Sequence, residues 1–132
     1  MNWSNSIDIN TFNDAYLTFF NNYKKVKLDS FYKNVLNGEY KYVTMSKFKK
    51  MNVENFNYDR LQYTDINKIY PKDDRPRGID DIKSLKYHIK TKNSISPVVI
   101  IEYKKKFILL DGVHRIISSN ILNNRIKILL IK

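Results

Sequence analysis

The stretch Phe107-Ile108-Leu109-Leu110-Asp111-Gly112-Val113-His114-Arg115 decides the fold. An apolar run of strand length, Phe107 to Leu110, stops at Asp-Gly, a pair that marks a tight turn. A helical pattern begins near His114 and runs to about Leu122. A strand that passes through Gly straight into a helix presents several backbone N–H groups at the helix N-terminus. With the helix dipole, those donors form an anion site. Gly112 allows the sharp turn and the close approach of a phosphate. Gly112 and Val113 line the turn, while His114 and Arg115 add donors and charge where phosphates would lie. Asp111, at the strand end, can hold Mg²⁺ or accept a proton from an attacking hydroxyl. The same residues also suit structural tasks: Asp111 can cap the helix and Arg115 can pair with an acid.

Working outward, Pro97 starts a strand, and Val98-Val99-Ile100-Ile101 is a continuous apolar run, as in a strand covered on both faces. Glu102 to Lys106 reads as a polar hairpin turn. On the other side, Asn123-Asn124 end the helix, and Ile126, Ile128 and Leu130 form a final strand. Upstream, Ile82, Leu85 and Ile89 mark one face of a helix that Asp80 or Asp81 can cap. Before it, Tyr70-Pro71 and Asp73 to Gly78 form a loop, because Pro and Gly break both periods. Asn93 to Ser96 make a turn, and Leu61, Tyr63 and Ile66 fit a short edge strand or an extended entry.

The N-terminal part reads as helical. Phe12, Tyr16, Phe19, Tyr23 and Val26 recur at steps of three and four, with Asn10 as N-cap. A second helix spans Asp29 to Asn37, with Ser30 near its start, Phe31 and Val35 on one face, and Gly38 as the stop. From Glu39 to Asp59 the pattern is mixed: Tyr40, Tyr42 and Thr44 fit a strand, Phe48 and Met51 a helical turn. The division expected is a mainly helical extension over 1–60 and a domain over 61–132. The fold class is α+β, a small mixed sheet with packed helices.

Composition narrows the function classes. The chain has 132 residues, enough for one cored domain with an extra helical segment. It has no cysteine, which excludes disulfides, thiolate zinc sites and thiol nucleophiles. It shows no secretory leader and no apolar run near about 18 residues. The expectation is a soluble cytoplasmic protein with no membrane contact. The formal charge is +11, carried mostly by Lys. Arg is scarce, and only Arg75 and Arg77 lie close together. A solvated Lys-rich surface accounts for this charge, with nucleic-acid binding as the alternative.

The ordered set Arg75-Pro76-Arg77, Asp80 to Lys90, Pro97 to Ile101 and Gly112-Val113-His114-Arg115 resembles the ParB/sulfiredoxin superfamily over Leu61 to Lys132. The resemblance implies a Gly-x-His-Arg turn that holds nucleotide phosphates. It implies that Arg75 faces the reacting centre, that Arg77 lies beside the nucleotide, and that Ser84 and His88 contact the nucleoside. Ser84 and His88 are four apart and share a helix face. Sulfiredoxins carry a nucleophilic Cys where this chain has Val113, so sulfinic acid reduction is excluded. The helix-turn-helix reader that follows in partition proteins has no counterpart before Lys132. The Asp-Gly-x-His-Arg form is similar to the branch that includes ADP- or ATP-dependent free serine kinases. There the Asp supports phosphotransfer and a Glu from elsewhere serves as base. Glu39, Glu54 and Glu102 are candidates for that base, and none lies in a recognisable motif.

Three functions follow, in order. The first is an ATP/ADP-dependent phosphotransferase or ATPase with Mg²⁺, in which Arg75, His114, Arg115 and the turn amides stabilise the transferring phosphoryl group. The second is a ParB-like module that binds or cuts nucleic acid, drawing on Lys104-Lys105-Lys106 and on Tyr and Phe that can stack on bases. Against that stacking, the helical spacing of Phe12, Phe19 and Tyr23 marks a core. The third is a module without catalysis that meets a protein partner through the N-terminal helices.

Overall fold

Asp8, Thr11 and the apolar spacing behind them start the first helix. The Asp8 carboxylate accepts a hydrogen bond from the Thr11 amide at 2.7 Å, which satisfies one of the free N–H groups of the first turn. The computed structural model describes residues 7–62, 97–123 and 125–132. Within them, α1 spans Ile9–Asn22 and α2 spans Leu28–Leu36. The cap of α1 is thus Asp8 and not Asn10, because the helix begins two residues earlier than its apolar pattern. Phe12, Ala15 and Phe19 of α1 turn inward and are buried. Phe31 of α2 packs into that row, its ring centroid 5.7 Å from Phe12, 5.4 Å from Tyr16 and 6.0 Å from Phe19. The Tyr16 hydroxyl donates to the Val26 carbonyl at 2.8 Å and ties down the turn between the helices.

Gly38 follows α2, but not as a left-handed cap. A Cβ at Gly38 would stand 2.6 Å from Leu129 Cδ1. Glycine is therefore needed where the chain crosses the sheet to begin β1 (Glu39–Val43). Thr44 caps α3 (Met45–Met51), its hydroxyl accepting from the Lys47 amide at 3.1 Å. Leu61 lies in a 3-10 turn, Tyr58–Gln62, rather than in an edge strand. Its side chain enters the core from that turn.

The C-terminal part contains β2 (Val98–Tyr103), β3 (Lys106–Asp111), α4 (Val113–Leu122) and β4 (Ile126–Ile131). The hairpin turn between β2 and β3 is tighter than its polar composition suggests, only Lys104-Lys105. The described strands form one mixed sheet in the order β1-β4-β2-β3. β4 runs antiparallel to β1 and parallel to β2, and β2 runs antiparallel to β3. β1 comes from the N-terminal part, so the sheet crosses the division drawn at residue 60.

The alternation of β2, β3 and β4 loads both sheet faces. Val99, Ile101, Ile108, Leu110, Leu129 and Ile131 meet Phe12, Phe19, Phe31 and Val35 of α1 and α2. Val98, Ile100, Leu109, Ile126, Ile128 and Leu130 meet Phe48, Val53, Leu61 and Ile116. Each fully buried side chain of this size stabilises by roughly 1.5–3 kcal/mol, so neither layer of helices is dispensable. The outer edge of β3 is covered by backbone. The Glu54 amide donates to Phe107 O at 2.8 Å, the Leu109 amide donates to Glu54 O at 2.9 Å, and Asn55 Nδ2 donates to Leu109 O at 2.9 Å. The result is an α+β fold with a mixed sheet between helical layers. No described helix is long and apolar enough to cross a membrane.

Candidate functional site at the start of α4

β3 ends at Asp111 and α4 begins at Val113, with Gly112 as the single joint. Gly112 has φ +117°, and a Cβ there would stand 3.0 Å from Val98 Cα. Both the backbone twist and the close passage of β2 demand glycine. Gly112, as the N-cap residue, brings no side chain of its own to cap α4. Its first backbone bond within the helix runs from the Ile116 amide to Gly112 O at 3.1 Å. The arrangement is a strand, a glycine and a helix N-terminus with His114 and Arg115 in its first turn.

Arg115 reaches in three directions. Its Nη1 donates to Pro97 O at 3.1 Å and approaches Asp111 Oδ2 at 3.4 Å. Its Nη2 donates to Thr11 Oγ1 at 3.3 Å. The guanidinium therefore links α4 to the start of β2, the end of β3 and the middle of the first turn of α1. Both partners of the ion pair are mostly withdrawn from water, with 17% of the Arg115 side chain and 25% of Asp111 exposed.

Burial pushes the Asp111 carboxyl up from its ordinary pKa. Arg115 pulls it down, Asp14 and Asp8 push it up again, and desolvation remains the largest of these influences. Among the described residues, the acids whose charge bears on Asp111 are Asp14 of α1 and its cap Asp8. The Glu candidates stand elsewhere. Glu102 pairs with Phe107, toward the far end of β3, and Glu54 is ion-paired with Lys106 at 3.1 Å. Glu39 lies on β1, the opposite edge strand, paired with Leu130 of β4, about 14 Å from β3 at ordinary strand spacing. None of the three stands beside Asp111.

Of the site residues read from the sequence, Asp111, Gly112, Val113, His114 and Arg115 meet at this junction. Arg75, Arg77, Ser84 and His88 lie outside the described residues, as do the 73–78 loop and the helix expected over 80–90. Thr11, Asp8, Asp14 and the Pro97 carbonyl were not anticipated. One signal for Thr11 exists: it shares the inward row of α1 with Ala15 and Phe19, and a buried polar residue there needs a partner. Nothing local names that partner, because Arg115 is 104 residues away.

Among the described residues no group of three or more His, Asp or Glu side chains gathers as a metal site. The Lys104–Lys106 tip lies at the other end of β3. Lys106 pairs with Glu54, and Lys104 Nζ stands 5.3 Å from the Tyr103 ring centre. Phe12 and Phe19 are core residues, and Tyr23 packs against that core. Comparison with protein-family models, with curated proteins and with solved structures returned no match.

Proposed function

We propose that the chain binds a nucleotide at the N-terminus of α4 and acts as an ATP- or ADP-dependent phosphotransferase or ATPase with Mg²⁺. The observation that carries this reading is the strand–glycine–helix joint at Gly112, which opens the N-terminus of α4 beside the Asp111–Arg115 pair. Backbone amides, His114 and Arg115 would take phosphate oxygens. Asp111 would hold Mg²⁺, and the bound cation would draw its raised pKa back down. The order β2, β3, α4, β4 is consistent with the ParB/sulfiredoxin fold inferred from the motifs. On that reading Arg75 and Arg77 complete the phosphate end, and Ser84 with His88 the nucleoside end.

The test is calorimetric titration of ATP, ADP and CTP, each with Mg²⁺, into wild type, Arg115→Ala and His114→Ala. Loss of a charged hydrogen bond weakens binding by about tenfold or more. Thermal unfolding of each variant separates lost binding from lost fold. Equal, negligible binding by wild type and variants removes the proposal.

A second reading is favoured by one observation. Arg115 is already committed to Thr11, Pro97 and Asp111, as expected of a scaffold arginine in a binding module without turnover. Saturable nucleotide binding with no phosphate release or transfer would support this reading over the first.

A further inference from the structure

Helix α2 is apolar on two adjacent faces. Phe31 and Val35 enter the core. Leu28, Tyr32 and Leu36 follow one another at steps of four and form a stripe, yet they are 49, 52 and 65% exposed. Ile9, at the start of α1, is 69% exposed. All four line a single groove of about 620 Å³, closed on one side by Tyr40 of β1. Large apolar side chains scattered singly on a surface need no explanation, but a concentration in one concavity does. A groove of this volume falls in the range that receives a ligand or a helix face.

The charge of the lining narrows the occupant. The chain carries 24 Lys and Arg against 13 Asp and Glu. In the groove the balance inverts: among the described residues its ionisable acids and bases are Asp8 and Asp29 alone. Lys27, the N-cap residue of α2, and Lys33 within the helix fall outside the lining. The Tyr32 and Tyr40 rings add faces that attract a cation. A second copy of the chain fits this lining poorly. A two-fold contact through the groove would bring Asp8 and Asp29 toward their own copies, like against like.

We propose that the groove docks an amphipathic helical segment of a protein partner. The apolar face of the segment lies on Leu28, Tyr32, Leu36 and Ile9, and its flanking Lys or Arg residues stand beside Asp8 and Asp29. The proposal does not rest on the nucleotide reading, and the groove is lined by none of the residues 111–115.

The experiment measures fluorescence anisotropy of a labelled 16-residue Leu/Lys amphipathic helix, at about 0.15 M salt where long-range attraction is screened, against the full chain. The probe is compared with a peptide of the same pattern in which every Lys is Glu. Saturable binding of the Lys peptide is expected, with the Glu peptide about tenfold weaker or more. Leu36→Glu sits in solvent, keeps the melting temperature, and should abolish the binding; Asp29→Asn should weaken it several-fold. Equal or tighter binding of the Glu peptide would overturn the proposal, since overall charge and not the groove would then select the ligand. Lys-peptide binding unchanged by Leu36→Glu would overturn it by placing the peptide elsewhere. Self-association that Leu36→Glu removes, without peptide binding, would assign the groove to a second copy instead.

Discussion

At the scale of single residues, Gly112 and Asp111 make separable predictions. Any side chain at Gly112 must adopt φ near +117° and press on Val98 Cα. Gly112→Ala is therefore expected to cost about 2–3 kcal/mol of stability, read as a fall in the urea midpoint. An unchanged midpoint would mean that the β3–α4 joint relaxes freely. Asp111 predicts a pH dependence. Burial holds its folded pKa above that of the unfolded chain, despite Arg115. A carboxyl of this kind stabilises most when protonated, below its unfolded pKa, and that contribution is lost as pH rises through the folded pKa. Wild type should thus lose stability relative to Asp111→Asn as pH rises above the ordinary carboxylate range of about 4. A difference that does not change with pH would show that the carboxyl is not perturbed. Both residues stand out in the sequence because the chemistry of Asp-Gly is local. The Thr11–Arg115 bond does not, because it joins residues from opposite ends of the chain.

At the scale of elements, the hairpin between β2 and β3 turns on Lys104 and Lys105, with φ of +51° and +65°. Two-residue hairpins of this left-handed kind favour Asn-Gly, since lysine pays a steric cost at both positions. Lys104→Asn combined with Lys105→Gly should stabilise the protein by about 1 kcal/mol, measured as a higher urea midpoint. A lower midpoint would show that the lysines contribute more than their backbone costs. The cap of α1 is a second case: Asp8→Ala should cost about 1 kcal/mol, since the Thr11 amide loses its acceptor. These elements also show what sequence patterns reach. β2, β3, β4 and α4 were legible because each is an apolar run or stripe ended by turn chemistry. β1 was ambiguous because Glu39-Tyr40-Lys41-Tyr42-Val43 buries little beyond Val43. What makes it a strand is β4, almost 90 residues later. The 3-10 turn at Leu61 was missed for the same kind of reason, its shape being set by packing rather than by period.

At the scale of the whole molecule, the sheet decides how the chain divides. A boundary at residue 60 follows naturally from a helical pattern giving way to a strand pattern. The structure carries several connections across it. β1 pairs with β4, the Glu54 backbone bonds to both sides of the β3 edge, and Thr11 holds Arg115. Packing adds more: Phe12, Ala15, Phe19, Phe31 and Val35 cover Val99, Ile101, Ile108, Leu110, Leu129 and Ile131. A chain reduced to residues 61–132 would expose that entire apolar face to water, together with one edge of β4. At roughly 1.5–3 kcal/mol for each side chain left unburied, the loss is as large as the 5–15 kcal/mol that typically separates a folded domain from its unfolded chain. The fragment is therefore expected to aggregate or to melt without a cooperative transition, as followed by circular dichroism and sedimentation. Adding residues 7–62 back as a separate chain should restore a single transition, because the two pieces complete one sheet. A fragment 61–132 that melts cooperatively by itself would show instead that the C-terminal strands and α4 hold together without α1, α2 and β1.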